Sequence, residues 1–340
     1  MYFSHMFATA LAANQLANAC VYANISDPSI APGFHHFAHE VQPVPPYKKR
    51  DIFGILGWLN GLINGKGVLS TETGGGDDST CPPVWNDIST ALTAQFLANG
   101  ECTDAARAAI RASFHDCFNG ACDGSLILAD ECSGPENNGL QSLCSNLGAL
   151  AKQKQVGTAD IIQFAAAHAI QTCPGGPTVP VKIGRTDSHQ ANAKGVLPGP
   201  NAQSGHLISL FGFSPVDLAA LIGAHTAAKQ FFSDPAQPGN GLDSTVGVWD
   251  NTFFSETRDG NAPFTLPVDK GIAQNPITAI PFNTFAASKG AWDAAFVSAM
   301  VKMSMLGVED AGLVDCTSAL PGGSRTREMR RSNLFDRLKW

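Results

Sequence analysis

The sequence predicts a mostly α-helical protein with a few short strands. Three stretches carry that expectation. Ala105 to Phe114 holds no Gly or Pro and is rich in Ala, the best helix former. Thr158 to Thr172 is nearly all apolar or Ala and is stopped by Pro174. Ser214-Pro215-Val216-Asp217 has the form of a helix start: a Ser cap, Pro at the first position and an acid three residues after the cap.

In chain order, residues 1–50 read as a signal and pro-segment. Phe7 to Ala23 is moderately apolar, and Val21-Tyr22-Ala23 resembles a small-residue cleavage site. Lys48-Lys49-Arg50 is either a dibasic processing site or an exposed basic turn, and the sequon Asn24-Ile25-Ser26 lies inside this leader. Residues 51–80 read as an extension: a short apolar segment from Asp51 to Ile63, then a Gly/Asp/Ser linker from Thr71 to Thr80. The main domain is expected over 81–320. Its first helix runs from Val84 to Asn99 and ends at Gly100. Thr103 caps the next, with Asp104 in its first turn. Cys117 to Asn146 is loop-rich, Val179 to Ile183 is a short strand, and Val196 to Asn201 is extended through Pro198 and Pro200. The helix begun at Ser214 is expected to reach about Lys229. Asp269 to Ala273 is a short helix, and Phe282 to Leu306 is one or two helices ending at Gly307. Residues 321–340 are a basic tail with no clear core face, a candidate for disorder.

Charge and cysteine usage narrow the class. Residues 51–320 hold 13 basic and 25 acidic side chains, which argues against nucleic acid as the main partner. No apolar run approaches the roughly 18 residues a bilayer span needs. Besides Cys20 in the leader there are eight cysteines, an even set with no CxxC pair, which points to disulfides and an oxidising compartment. All three tyrosines, Tyr2, Tyr22 and Tyr47, precede residue 51; phenols oxidise readily, so their absence beyond it suits a protein that makes strong oxidants, though chance competes.

The chemistry gathers around two histidines. Arg111 and His115 are four apart and share one helix face, whereas Asp116 points about 100° away. His225 sits towards the end of its own expected helix and is followed by Thr226. Two such helices facing each other suit a flat cofactor, one His ligating a metal from below and the other working above. Behind Asp116 come Asp123 and Ser125, with backbone carbonyls in the Asn119–Ala121 loop; behind Thr226 come Asp243, Thr245 and Asp250. Oxygen donors in glycine-containing loops suit a hard ion such as calcium. Asx turns and caps use the same residues.

The set Arg111-x-x-Phe114-His115-Asp116-Cys117, Leu221-Ile222-Gly223-Ala224-His225-Thr226 and Asp243-x-Thr245 resembles the plant- and fungal-type secretory haem peroxidase superfamily, above all its fungal secreted class, over roughly Cys81 to Cys316. The resemblance implies two helical lobes with haem b between them, secretion, and a monomer that takes hydrogen peroxide and small aromatic reductants. It makes His225 the iron ligand, with Asp269 accepting its second ring N–H. Phe114 lies at the cofactor, His115 moves the peroxide proton, Arg111 stabilises developing charge, and Asn137 orients His115, anchored in turn by the acid Glu131. It implies two calcium ions: one on Asp116, Asn119, Ala121, Asp123 and Ser125, the other on Thr226, Asp243, Thr245, Val248 and Asp250. The short spacing from Asp116 to Asp123 looks more like the plant-type loop. The disulfides would be Cys81–Cys316, Cys102–Cys173, Cys117–Cys122 and Cys132–Cys144.

Departures from the family pattern narrow the substrate. The positions that match the carboxylates of manganese-oxidising relatives hold Asp104, Ala108 and Phe231, so one acid of three remains. Ala220 stands where lignin-oxidising relatives expose a Trp, and Leu242 where many place an aromatic beside the iron-ligating His. The expectation is a generic peroxidase of phenols and small dyes at the haem edge. Trp249, Trp292 and Trp85 are candidates for a surface radical site or for packing. Two other classes stay open: a calcium-stabilised secreted binding protein of the same fold without the activity, and a metal-dependent hydrolase using His115, Asp116 and His225, which lacks a compact ligand motif.

Overall fold

The computed structural model describes residues 80–118, 120–210 and 212–322. The expected leader, the extension up to residue 79, Asn119 and the tail from residue 323 lie outside the described residues. The fold is mostly α, as the sequence predicts. Its elements in order are α1 (Val84–Phe96), β1 (Leu97–Ala98), β2 (Glu101–Cys102), α2 (Asp104–Cys117), α3 (Ser125–Leu128), α4 (Gln141–Lys154), α5 (Thr158–Thr172), β3 (Lys182–Ile183), α6 (Ser204–Leu210), α7 (Pro215–Ile222), α8 (Thr252–Asp259), α9 (Pro267–Gln274), α10 (Ala279–Ala287), α11 (Lys289–Ser304) and β4 (Val314–Asp315). The strands pair only as two antiparallel two-residue ladders, β1 with β2 and β3 with β4.

Local chemistry sets the helix starts. Thr103 Oγ1 accepts Ala106 N–H at 3.3 Å and opens α2. Ser214 and Asp217 close a reciprocal capping box at the head of α7, with bonds of 3.1 and 3.2 Å. Burial then orders the helices. On α1, Trp85, Ile88, Leu92 and Phe96 form one buried stripe at helical spacing. Every residue of α5 from Thr158 to Ile170 is buried, and α2 packs along it. The helices α1, α2, α4 and α5 contact one another, α7 to α11 form a second group, and α11 also touches α2. The four disulfides join the pairs that the resemblance implied, with Cα–Cα separations of 4.1 to 6.6 Å.

Several boundaries differ from the sequence reading. Cys117 to Asn146 contains α3, the start of α4 and 3₁₀ turns at Glu131–Ser133 and Pro135–Asn137. Here the polar, cysteine-rich composition hid short helices whose inner faces are buried. The helix begun at Ser214 stops at Ile222 and tightens into a 3₁₀ turn, Gly223–Ala227, short of the expected Lys229. Gly223 explains the change of path. A Cβ there would lie 2.4 Å from Trp292 Nε1 and 2.6 Å from Phe254 Cζ, so only glycine lets the chain pass these rings. Phe282 to Leu306 resolves into α10 and α11, parted at Ser288, whose side chain accepts Ala291 N–H.

Candidate active site

Helix α2 carries Arg111, Phe114, His115 and Asp116. His115 is buried, and its surroundings fix its ring. Nδ1 lies 2.6 Å from Asn137 Oδ1, and Arg111 Nε donates to Nε2 at 3.0 Å. Asn137 Nδ2 donates to the Glu131 carbonyl at 2.8 Å, which turns its Oδ1 towards the histidine. An amide oxygen only accepts and a guanidinium only donates. The proton of a neutral His115 therefore sits on Nδ1, and Nε2 is the lone pair. Burial first, then the charge of Arg111, hold His115 down at about 3, against the opposing hydrogen bond to Asn137. The ring is a neutral base at ordinary pH. Arg111 is clamped by two carbonyls, Nη1 to Asn138 at 2.7 Å and Nη2 to Glu136 at 3.0 Å. Phe114 is half-buried and meets the His115 ring edge-on at 5.6 Å.

Glu131 anchors Asn137 as expected, but not through its acid. Its backbone carbonyl holds Asn137, while its carboxylate accepts Asn192 N at 2.9 Å and Asn192 Nδ2 at 3.2 Å. Asn192 also donates to Ser125 Oγ at 2.9 Å, joining the His115 network to the oxygen cluster behind it. Nothing in the sequence singled out Asn192, which lies 61 residues beyond Glu131 in an irregular segment.

The second histidine is held from behind. Asp269, in the first turn of α9, accepts His225 Nδ1–H at 2.9 Å. The Asp269 side chain is wholly buried and its Oδ2 has no partner, whereas 29 % of the His225 side chain is exposed. This leaves His225 Nε2 as the nitrogen that Asp269 does not engage. Two contacts bring the His225 and His115 segments into one region. Lys229 Nζ reaches Asp104 at the head of α2, at 3.4 Å, and the Phe232 ring lies against Gly139, beside Arg111.

The described side chains of the two expected oxygen clusters lie in hydrogen-bonded loops. Buried Asp116 accepts Gly124 N at 3.2 Å and Leu126 N at 3.3 Å, and Asp123 Oδ1 accepts Ser125 N at 3.1 Å. Gly124 has φ +79, and a Cβ there would lie 2.7 Å from Ala159 N, so this turn needs glycine. Thr226 Oγ1 donates to Asp243 Oδ2 at 2.6 Å, Asp243 Oδ1 accepts Thr245 N at 3.0 Å, and Thr245 Oγ1 donates to Asp250 at 3.1 Å. Val248 closes the same loop through its N–H to the Thr245 carbonyl. Burial pushes Asp116 up to about 7 and Asp243 up to about 6; the neighbouring acids Asp123 and Glu131, and Asp250 and Glu256, add to it, and hydrogen bonds oppose it. Among the described residues no three His, Cys, Asp or Glu side chains converge as a metal site, and each cluster brings two acids beside hydroxyl groups.

The chain is similar in sequence to known proteins. A sequence model of the peroxidase family, described as Peroxidase, matches residues 84–288. The chain is 32 % identical over 260 residues to the low-redox potential peroxidase of Taiwanofungus camphoratus, covering 70 % of this chain and 77 % of that protein. It is 28 % identical over 317 residues to a peroxidase of Coprinopsis cinerea, covering 78 % and 86 %. It is 29 % identical over 263 residues to manganese peroxidase 3 of Phlebia radiata, covering 66 % and 73 %. The chain belongs to the peroxidase family. It is an oxidoreductase with the mostly α fold of haem peroxidases, and hydrogen peroxide with organic reductants are the substrates that membership implies.

The Asn137 link predicts a defined loss. Asn137→Ala leaves the buried Nδ1–H of His115 without its acceptor and is expected to cost about 1–3 kcal/mol of stability, read by chemical denaturation. An unchanged midpoint and slope would show that the link holds nothing in place.

Proposed function

We propose that this peroxidase is secreted, works as a monomer with haem b and two calcium ions, and oxidises phenols and other small aromatic reductants at an exposed edge of the cofactor. The donor set fits the group: a half-exposed imidazole whose far nitrogen is tied to a buried carboxylate, and a buried neutral base beside a fixed guanidinium. Haem, when bound, supplies the iron at which the peroxide O–O bond is cleaved and from which reductants remove the oxidising equivalents.

The observation that carries the reading is the polarised chain Arg111–His115–Asn137–Glu131. His115 Nε2 takes the proton of hydrogen peroxide and returns it to the oxygen that leaves as water. In the structure the Nε–H of Arg111 holds the Nε2 lone pair at 3.0 Å, so this bond gives way when peroxide enters, and the guanidinium charge then stabilises negative charge gathering on that oxygen. Asn137 keeps the accepting nitrogen aimed there, because it binds the only ring proton. Below, His225 Nε2 would hold the iron, and Asp269 would make that ligand more electron-donating.

Aromatic reductants are favoured by the rim. Asp104 is paired with both Arg107 and Lys229 at 3.4 Å, and Ala108 and Phe231 offer no oxygen, so a divalent cation finds one already neutralised acid. Phe231 and Phe232 are exposed instead, 46 % and 60 %, next to the loop that clamps Arg111. Ala220 is buried, as are Trp85, Trp249 and Trp292, so none of these tryptophans meets a substrate at the surface. The four disulfides suit an oxidising compartment, and no described helix is long and apolar enough to cross a membrane.

Two outcomes test the assignment. His115→Leu is expected to slow the reaction with peroxide about 10²–10⁴-fold in stopped-flow while the haem spectrum is kept, and an unchanged rate would place proton transfer elsewhere. Calcium removal has a signed pH dependence. Without the ions, Asp116 and Asp243 keep protons that the unfolded chain releases above the ordinary 3.8. Their contribution is therefore fully present below the ordinary 3.8 and is lost as pH rises from there to about 6 for Asp243 and to about 7 for Asp116. The melting temperature of chelator-treated protein should fall across that window and recover with calcium; a melting curve indifferent to chelation would remove the ions from the account.

A further inference from the structure

We propose that the stacked indoles of Trp249 and Trp292 are an internal electron donor, which gives one electron to the oxidised haem when no reductant is present and keeps the hole as a shared cation radical. The inference rests on the haem-peroxidase reading above, and the reaction with peroxide supplies the oxidant.

The two rings are nearly parallel, 10° apart, with centroids 5.0 Å apart, and both are wholly buried. The other rings around them meet them edge-on: Phe296 at 4.8 Å from Trp249 and 5.9 Å from Trp292, and Phe254 at 5.4 Å from Trp292. Face-to-face overlap is what lets a hole spread over two rings. The composition gives the hole nowhere better to go among the aromatic side chains. No tyrosine lies beyond Tyr47, and indole is more easily oxidised than the benzene ring of phenylalanine or the imidazole of histidine.

A contact path leads from the pair to the proposed iron ligand. Trp292 touches Phe254, Phe254 meets Phe253 at 5.4 Å, and Phe253 meets the His225 ring at 5.8 Å. A shorter path runs through the backbone, because Gly223, two residues before His225, packs directly on the Trp292 indole nitrogen.

The surroundings decide the form of the oxidised pair. Trp292 Nε1–H donates at 3.0 Å to the carbonyl of Ala220, in the last turn of α7, where the helix presents its negative end and favours a positive charge. That carbonyl is no base, so the proton stays. Trp249 Nε1 is buried with no hydrogen-bond partner, so its proton has no acceptor either. One electron leaves the pair, one oxidising equivalent on the cofactor is consumed, and no proton moves. The pair thus takes up an equivalent inside the protein that a missing reductant would otherwise have taken.

The test uses holoenzyme, one equivalent of hydrogen peroxide and no reductant, followed by freeze-quench electron paramagnetic resonance and near-infrared absorption. The expected result is an organic radical whose hyperfine structure narrows when the protein is grown with ring-deuterated tryptophan, together with a near-infrared charge-resonance band of a stacked pair. Trp249→Phe should lose the band and keep a radical localised on one indole, Trp292→Phe should lose the radical, and Trp85→Phe should change neither. The isotope experiment needs no substitution and stands even where a core variant fails to fold. A Soret band that responds to peroxide with no radical, or a radical indifferent to deuterated tryptophan or to both substitutions in the pair, overturns this inference alone. A Soret band that ignores peroxide overturns the function on which it rests, and the inference with it.

Discussion

The hydrogen bond between His115 and Asn137 is the constraint on which the site depends. Without it a buried imidazole between a guanidinium and hydrocarbon could present either nitrogen to the pocket. With it, one proton is committed to Nδ1, and the lone pair on Nε2 is left to accept the Nε–H of Arg111. The burial that holds the ring neutral also makes the link strong, since an amide oxygen with no competing water is a better partner than one in solvent. The Asn137 amide is set in turn by the Glu131 carbonyl, and the Glu131 carboxylate by Asn192. The chain of orientation therefore runs from the base outward to the oxygen cluster behind α2.

The two histidines are braced alike by different means. His115 is held on Nδ1 by a neutral amide, while burial and the charge of Arg111 keep it a neutral base. His225 is held by a carboxylate, which makes it a donor. In each case the adjacent residue, Asp116 or Thr226, turns away from the pocket and anchors the segment in an oxygen-rich loop. One segment thus serves both chemistry and stability, because positions one apart face different ways.

The sequence made much of this legible, for reasons that can be stated. Helix starts with side-chain caps, such as Thr103 and Ser214, were readable because the cap is local. So were Arg111 with His115, which need only helical spacing. The end of α7 was not, since it depends on Trp292 and Phe254 from distant helices crowding Gly223. The short helices between Cys117 and Asn146 were masked by a polar composition, their faces being defined by what packs on them. Asn192 was invisible because its partners are 61 and 67 residues away and an irregular segment brings it there. The Glu131 role was read for its acid, whereas its carbonyl makes the bond to Asn137, a choice that no side-chain identity encodes. Trp85, Trp249 and Trp292 proved to be core residues, and their stacking and edge contacts follow from tertiary packing alone.

The most direct measurement is the absorption spectrum of the purified protein before and after one equivalent of hydrogen peroxide, followed by a phenol. The account predicts a Soret band that shifts with peroxide and returns when the phenol is added. A protein that shows no Soret band after supply of haem and calcium, or one whose Soret band ignores peroxide, would contradict it.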